Sequence, residues 1–120
     1  MSVTSKYVAP DHFLVDELFT EEHKIIRDAA RDWVNRRVKP EIEDYFEKAK
    51  FPHHLVKEMG EIGAFGPFIP VEYGGAGMDY ITYGLIMQEL EAGDSGIRSM
   101  ASVQTSLVMF PIHAYGSEEQ

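Results

Sequence analysis

One arginine and a run of small hydroxyl residues stand together in the otherwise apolar surroundings of residues 89–109, ELEAGDSGIRSMASVQTSLVM. If Asp94 or Ser95 caps a helix, Arg98 falls in its first turns, with Ser102 one turn on and Thr105 and Ser106 after that. The positive end of a helix, a guanidinium and several hydroxyls together suit a carboxylate or another anion. The same residues also suit a structural ion pair of Arg98 with Glu91 or Asp94, the serines and threonines letting helices pack closely. On spacing alone both readings stand.

Other chemistries find less support. The absence of cysteine removes disulfides, thiolate nucleophiles and Cys-type zinc sites. His12, His23, His53, His54 and His113 form neither H-E-x-x-H nor an i, i+4 pair, so no metal site is expected. Gly74, Gly75 and Gly77 resemble a phosphate loop only superficially: there is no Walker lysine and no preceding strand, and a tight turn between helices explains them. Asp and Glu outnumber Lys and Arg 20 to 11, for a net charge of −9, which argues against a nucleic-acid surface. The one basic cluster, Arg36, Arg37 and Lys39, sits where a helix should end and suits its dipole. The start, MSVTSKYVAPDHFLVDEL, has the character of neither a signal nor a transit peptide, and no stretch is apolar enough to span a membrane, so a cytoplasmic protein is expected.

The elements that must position these residues are helical. Residues 1–15 read as an irregular arm, and residues 16–120 as one helical domain. Thr20 can cap a first helix in which Ile25, Ala29 and Trp33 line one edge and Ile26, Ala30 and Val34 the next. A second helix is expected over 41–48 with Pro40 at its first position, and a third over about 52–62, ending at Gly63. Phe65, Phe68, Ile69 and Tyr73 should pin the glycine-rich loop. Asp79 can cap a fourth helix that ends at Gly93. The fifth, carrying Arg98, should run to about Met109, where Phe110-Pro111 interrupts it. Ser117 and Gln120 fit a capping box, the start of a sixth helix and a sign that the chain is the front part of a longer protein. The expected class is all-α.

Phe13 to Leu18, Trp33, Val38-Lys39-Pro40, the loop PVEYGGAGMD at 70–79, Glu89-Leu90-Glu91 and DSGIRS at 94–99 resemble the N-terminal helical domain of the acyl-CoA dehydrogenases. The run RSMASVQTSLVMFPIHAYGSEEQ is similar to the glutaryl-CoA dehydrogenase branch. The resemblance implies a longer parent with a middle β-domain and a C-terminal helical domain, bound FAD, and a catalytic glutamate beyond Gln120. It further implies oxidation of an acyl-CoA, here glutaryl-CoA with decarboxylation to crotonyl-CoA, electron transfer to an electron-transferring flavoprotein, and a homotetramer. It assigns Arg98 to the distal carboxylate of the substrate, Ser102 to the same contact and Glu91 to their polar network, and so favours the functional reading of Arg98. Ile97 and Gly93 depart from the branch, where an aromatic and a bulkier residue are common, and bear on pocket shape. Two alternatives are another short or polar acyl-CoA as substrate, and a stand-alone helical interaction module.

Overall fold

The computed structural model describes residues 9–120, so residues 1–8 of the expected arm lie outside the described residues. Every element among the described residues is helical: α1 Glu21–Trp33, α2 Ile42–Glu47, α3 Leu55–Glu61, α4 Tyr80–Gly93, α5 Ser95–Ser102 and α6 Phe110–Tyr115. A 3₁₀ turn at Val15–Leu18 precedes α1, and a second spans Val71–Tyr73. Two π-helical segments, Val34–Val38 and Val103–Met109, extend α1 and join α5 to α6, leaving five helical rods.

Capping residues set the starts of the long helices. Thr20 Oγ1 accepts the His23 N–H at 3.2 Å, and the His23 ring accepts the Thr20 N–H in return. Asp79 caps α4 by accepting the Thr82 N–H, and Asp94 caps α5 by accepting the Ile97 N–H, each at 2.8 Å. Gly63 turns the chain after α3 with φ of 77°.

Helix α4 is central, packed against α1 on one side and α5 on the other. Its residues Ile86 and Leu90 join Trp33, Val34 and Val38 from the α1 rod, Leu55 and Met59 from α3, and Ile97 and Ala101 from α5. Each such large apolar side chain contributes roughly 1.5–3 kcal/mol of burial. The molecule measures 54 × 40 × 20 Å, so its short dimension is that of two helices. Gly93 lets α4 approach α1: a Cβ there would lie 2.6 Å from Val34 Cγ1.

The glycine-rich stretch is a turn. Gly74 and Gly77 take φ of 85° and 63°, and a Cβ on Gly75 would meet the Ile69 carbonyl oxygen at 1.9 Å. Phe68 packs among Tyr80, Tyr83 and Phe110, while Tyr73 is exposed and donates its hydroxyl to Glu118 instead of pinning the loop inward.

Several boundaries differ from expectation. The fifth helix does not stop at Phe110-Pro111: residues 95–115 stay helical. The π turns widen the helix just ahead of Pro111, which relieves the clash of its ring with the preceding turn. Pro40 precedes α2 without entering it, because the Lys39 N–H still bonds the Val34 carbonyl and moves the turn to 39–41. Helix α3 begins at Leu55, after a turn in which the Pro52 carbonyl accepts the Leu55 N–H. Ile25 is 68% exposed, so the buried edge of α1 is His23, Ala30 and Trp33.

Candidate functional site

Helix α4 ends and α5 begins within two residues, and that corner brings Glu91, Ser95, Arg98 and Ser102 together. Arg98 Nε donates to Glu91 Oε2 at 2.6 Å, and Arg98 Nη1 donates to Ser102 Oγ at 3.1 Å. Ser95 Oγ donates to Glu91 Oε1 at 2.6 Å. Of the three residues expected from sequence, Arg98 thus contacts both Glu91 and Ser102. Asp94, the other partner considered for Arg98, is instead occupied as the helix cap.

This corner is half open. Arg98 and Glu91 side chains are 34% and 47% exposed, and Arg98 Nη2 makes no hydrogen bond among the described residues. The Arg98 guanidinium, with the Ser95 hydroxyl, holds the Glu91 carboxyl below the usual carboxylate range. The corner therefore offers a fixed guanidinium with donors to spare, a suitable receptor for a carboxylate.

The hydroxyl ladder beyond Ser102 is not one stripe. Ser106 donates to the Ser102 carbonyl at 2.5 Å, whereas Thr105 is buried; its Oγ1 accepts the Gly66 N–H at 3.0 Å and donates to the Ala64 carbonyl at 3.4 Å. The π turns change the helical phase and carry Thr105 inward, where it ties the loop down. Ile97 is fully buried and Gly93 faces Val34, so both departures from the branch bear on helix packing and not on the exposed corner.

Three polar links missed by sequence reasoning hold the corner's framework. Arg31 on α1 grips the buried Glu89 of α4 at two points, Nε to Oε2 at 3.0 Å and Nη2 to Oε1 at 2.8 Å. Glu58 of α3 accepts from Trp33 Nε1 at 3.0 Å and from both Nε and Nη2 of Arg37 at 2.8 Å. Arg37 first, then Trp33, pulls the Glu58 carboxyl down to about 2. His23 Nε2 meets Asp79 Oδ2 at 2.8 Å; since the Thr20 N–H points at Nδ1, Nε2 is the donor. The Thr82 N–H and His23 lower Asp79 to about 2. One signal was available for Glu89: a charge standing between Ile86 and Leu90 on the buried face of an apolar helix requires a partner.

A cleft of about 410 Å³ lies elsewhere, between the loop carrying Ile69 and Tyr73 and residues Met109, Ile112 and Glu118. Its lining includes acidic side chains but no lysine or arginine, so it lacks the cations suited to a dinucleotide pyrophosphate. No group of His, Asp and Glu among the described residues is arranged to hold a metal ion, and no helix among them is long and apolar enough to cross a membrane.

The family profile described as "Acyl-CoA dehydrogenase, N-terminal domain" matches residues 20–120. A 3-(aryl)acrylate reductase of Clostridium sporogenes is 37% identical over 102 residues, 85% of this chain and 27% of that protein. The mitochondrial short-chain specific acyl-CoA dehydrogenase of Bos taurus is 34% identical over 100 residues, 83% of this chain and 24% of that protein. A glutaryl-CoA dehydrogenase from Mycobacterium smegmatis, solved in complex with FADH2, superposes with a TM-score of 0.84 at 47% identity over 89% of this chain and 28% of its own. The chain thus spans about a quarter of the length of the curated relatives it matches.

Proposed function

The chain belongs to the acyl-CoA dehydrogenase family, and on that premise we propose that residues 16–120 form the N-terminal domain of an FAD-dependent glutaryl-CoA dehydrogenase. The observation that carries this reading is the Arg98 guanidinium, anchored through Nε and Nη1 with Nη2 left over. The higher identity with the Mycobacterium smegmatis protein supports the same branch.

In this reading the domain supplies a wall of the acyl pocket. A carboxylate entering an enclosed site loses its water, and an unpaired buried charge is costly, so a fixed fork of donors must replace the solvent. Arg98 receives the distal carboxylate, Ser102 holds Nη1 and Glu91 holds Nε. A plain acyl chain offers no such charge and leaves Arg98 Nη2 without an acceptor once solvent is excluded, a penalty of about 1–3 kcal/mol for the unmet donor. Electrostatics therefore selects a dicarboxylic acyl group over a simple one.

The cleft beside Ile69 and Tyr73 offers no lysine or arginine to a flavin dinucleotide's pyrophosphate. Most of the flavin contacts and the catalytic glutamate fall to the rest of the proposed parent. Decarboxylation to crotonyl-CoA, transfer to an electron-transferring flavoprotein, homotetramer assembly and a cytoplasmic location complete the proposal.

The test is an anaerobic titration of the full-length holoenzyme with glutaryl-CoA and with butyryl-CoA, following bleaching of the flavin band. Glutaryl-CoA should bleach it strongly and butyryl-CoA weakly, and Arg98→Met should weaken the glutaryl-CoA response at least about tenfold. Bleaching by butyryl-CoA alone reassigns the substrate to a short acyl-CoA and removes the role given to Arg98.

A further inference from the structure

The carboxylate of Glu91 meets Arg98 differently from the other well-anchored glutamates of this molecule. Arg31–Glu89 and Arg37–Glu58 both close as two-point forks, with Nε on one carboxylate oxygen and Nη2 on the other. Arg98 touches Glu91 through Nε alone, at Oε2. The position of the third donor accounts for the difference. In Glu58 the extra donor, Trp33, shares Oε2 with Arg37 Nε and leaves Oε1 for Nη2. In Glu91 the extra donor, Ser95, sits at 2.6 Å on Oε1, the oxygen that a fork would require.

We propose that Ser95 is a positioning residue: by holding Glu91 Oε1 it keeps the carboxylate turned so that only Oε2 meets Arg98, and leaves Arg98 Nη2 available to the anionic end of the substrate. This rests on the role given to Arg98 above. Without the hydroxyl, an exposed glutamate is free to turn and take both Nε and Nη2, the geometry that carboxylates favour with arginine. The protein's own carboxylate then competes with the substrate's. Ser95 is suited to a dedicated role because it is exposed and does not cap α5, that place being taken by Asp94.

Steady-state kinetics of the full-length holoenzyme test this with Ser95→Ala, Ser95→Thr and Arg98→Met on glutaryl-CoA and butyryl-CoA. Ser95→Ala should raise the glutaryl-CoA KM about three- to tenfold with kcat changed less than about twofold, lower the preference for glutaryl-CoA over butyryl-CoA by the same factor, and be rescued by Ser95→Thr. An Ser95→Ala enzyme whose KM is unchanged, or rises equally for both substrates, overturns the positioning role while a large Arg98→Met effect leaves the substrate reading intact. An Arg98→Met enzyme with unaltered preference overturns both.

Discussion

At the scale of single residues, local hydrogen bonds decide which charges the fold depends on. Asp79 and Glu58 are both drawn down to about 2, from ordinary values of 3.8 and 4.5, by partners that exist only when the chain is folded. A carboxyl depressed in the folded state stabilises the fold above its unfolded pKa, and that stability drains away as pH falls through the interval down to its folded value. The stability these two groups contribute should therefore be complete above about pH 5 and lost progressively between about pH 4.5 and pH 2. Urea unfolding midpoints measured from pH 7 to pH 2 check this. Asp79→Asn keeps a capping side chain while removing the charge, so its midpoint should fall less steeply than that of the wild type across the same range. An equal slope would mean that Asp79 carries none of the pH dependence.

At the scale of elements, α4 shows how one helix serves two surroundings. Gly84 is exposed on its outer face, and a Cβ there would meet nothing within 4 Å; Gly93, at its end, has Val34 Cγ1 2.6 Å from where a Cβ would be. The same substitution should therefore have opposite signs within one helix. Gly84→Ala should raise stability by about 0.5–1 kcal/mol, through reduced freedom of the unfolded chain. Gly93→Ala should lower it by about 1–2 kcal/mol, since a β-branched neighbour on the α1 rod yields little. Thermal melting of both variants provides the check, and a stabilised Gly93→Ala protein would contradict the close α4–α1 approach. Because α4 also carries Glu91, any widening of that contact moves one anchor of Arg98.

At the scale of the whole molecule, one rod carries a row of exposed apolar residues. Val103, Leu107, Ile112 and Tyr115 all lie on the rod formed by α5, the π turns and α6, and are between 43% and 84% exposed. Monomeric proteins seldom leave such side chains together in water. The 120-residue chain in isolation should therefore bind a hydrophobic dye and associate as its concentration rises, and Leu107→Glu should diminish both effects. Dye fluorescence and sedimentation across a concentration series measure this; an isolated chain that stays monomeric and binds no dye would mean that the rod needs no cover.

By itself the sequence determined what depends on neighbours within a turn or two: the all-α class, the caps at Thr20 and Asp79, a helix start at Asp94 or Ser95, and Ser102 one turn beyond Arg98, while the choice of Glu91 over Asp94 as the partner of Arg98 was left to the structure. Those features follow from helical period and capping chemistry, because residues three or four positions apart meet wherever a helix forms. Only the tertiary structure decided the pairs Arg31–Glu89, Trp33 and Arg37 with Glu58, and His23–Asp79, whose partners stand 21 to 58 residues apart. It likewise decided the π turns that carry the helix through Pro111 and point Thr105 inward. No local period encodes how two helices cross, and it is the crossing of α1 with α4, packed around a glycine, together with the docking of α3 on the α1 rod, that chooses which distant charges meet.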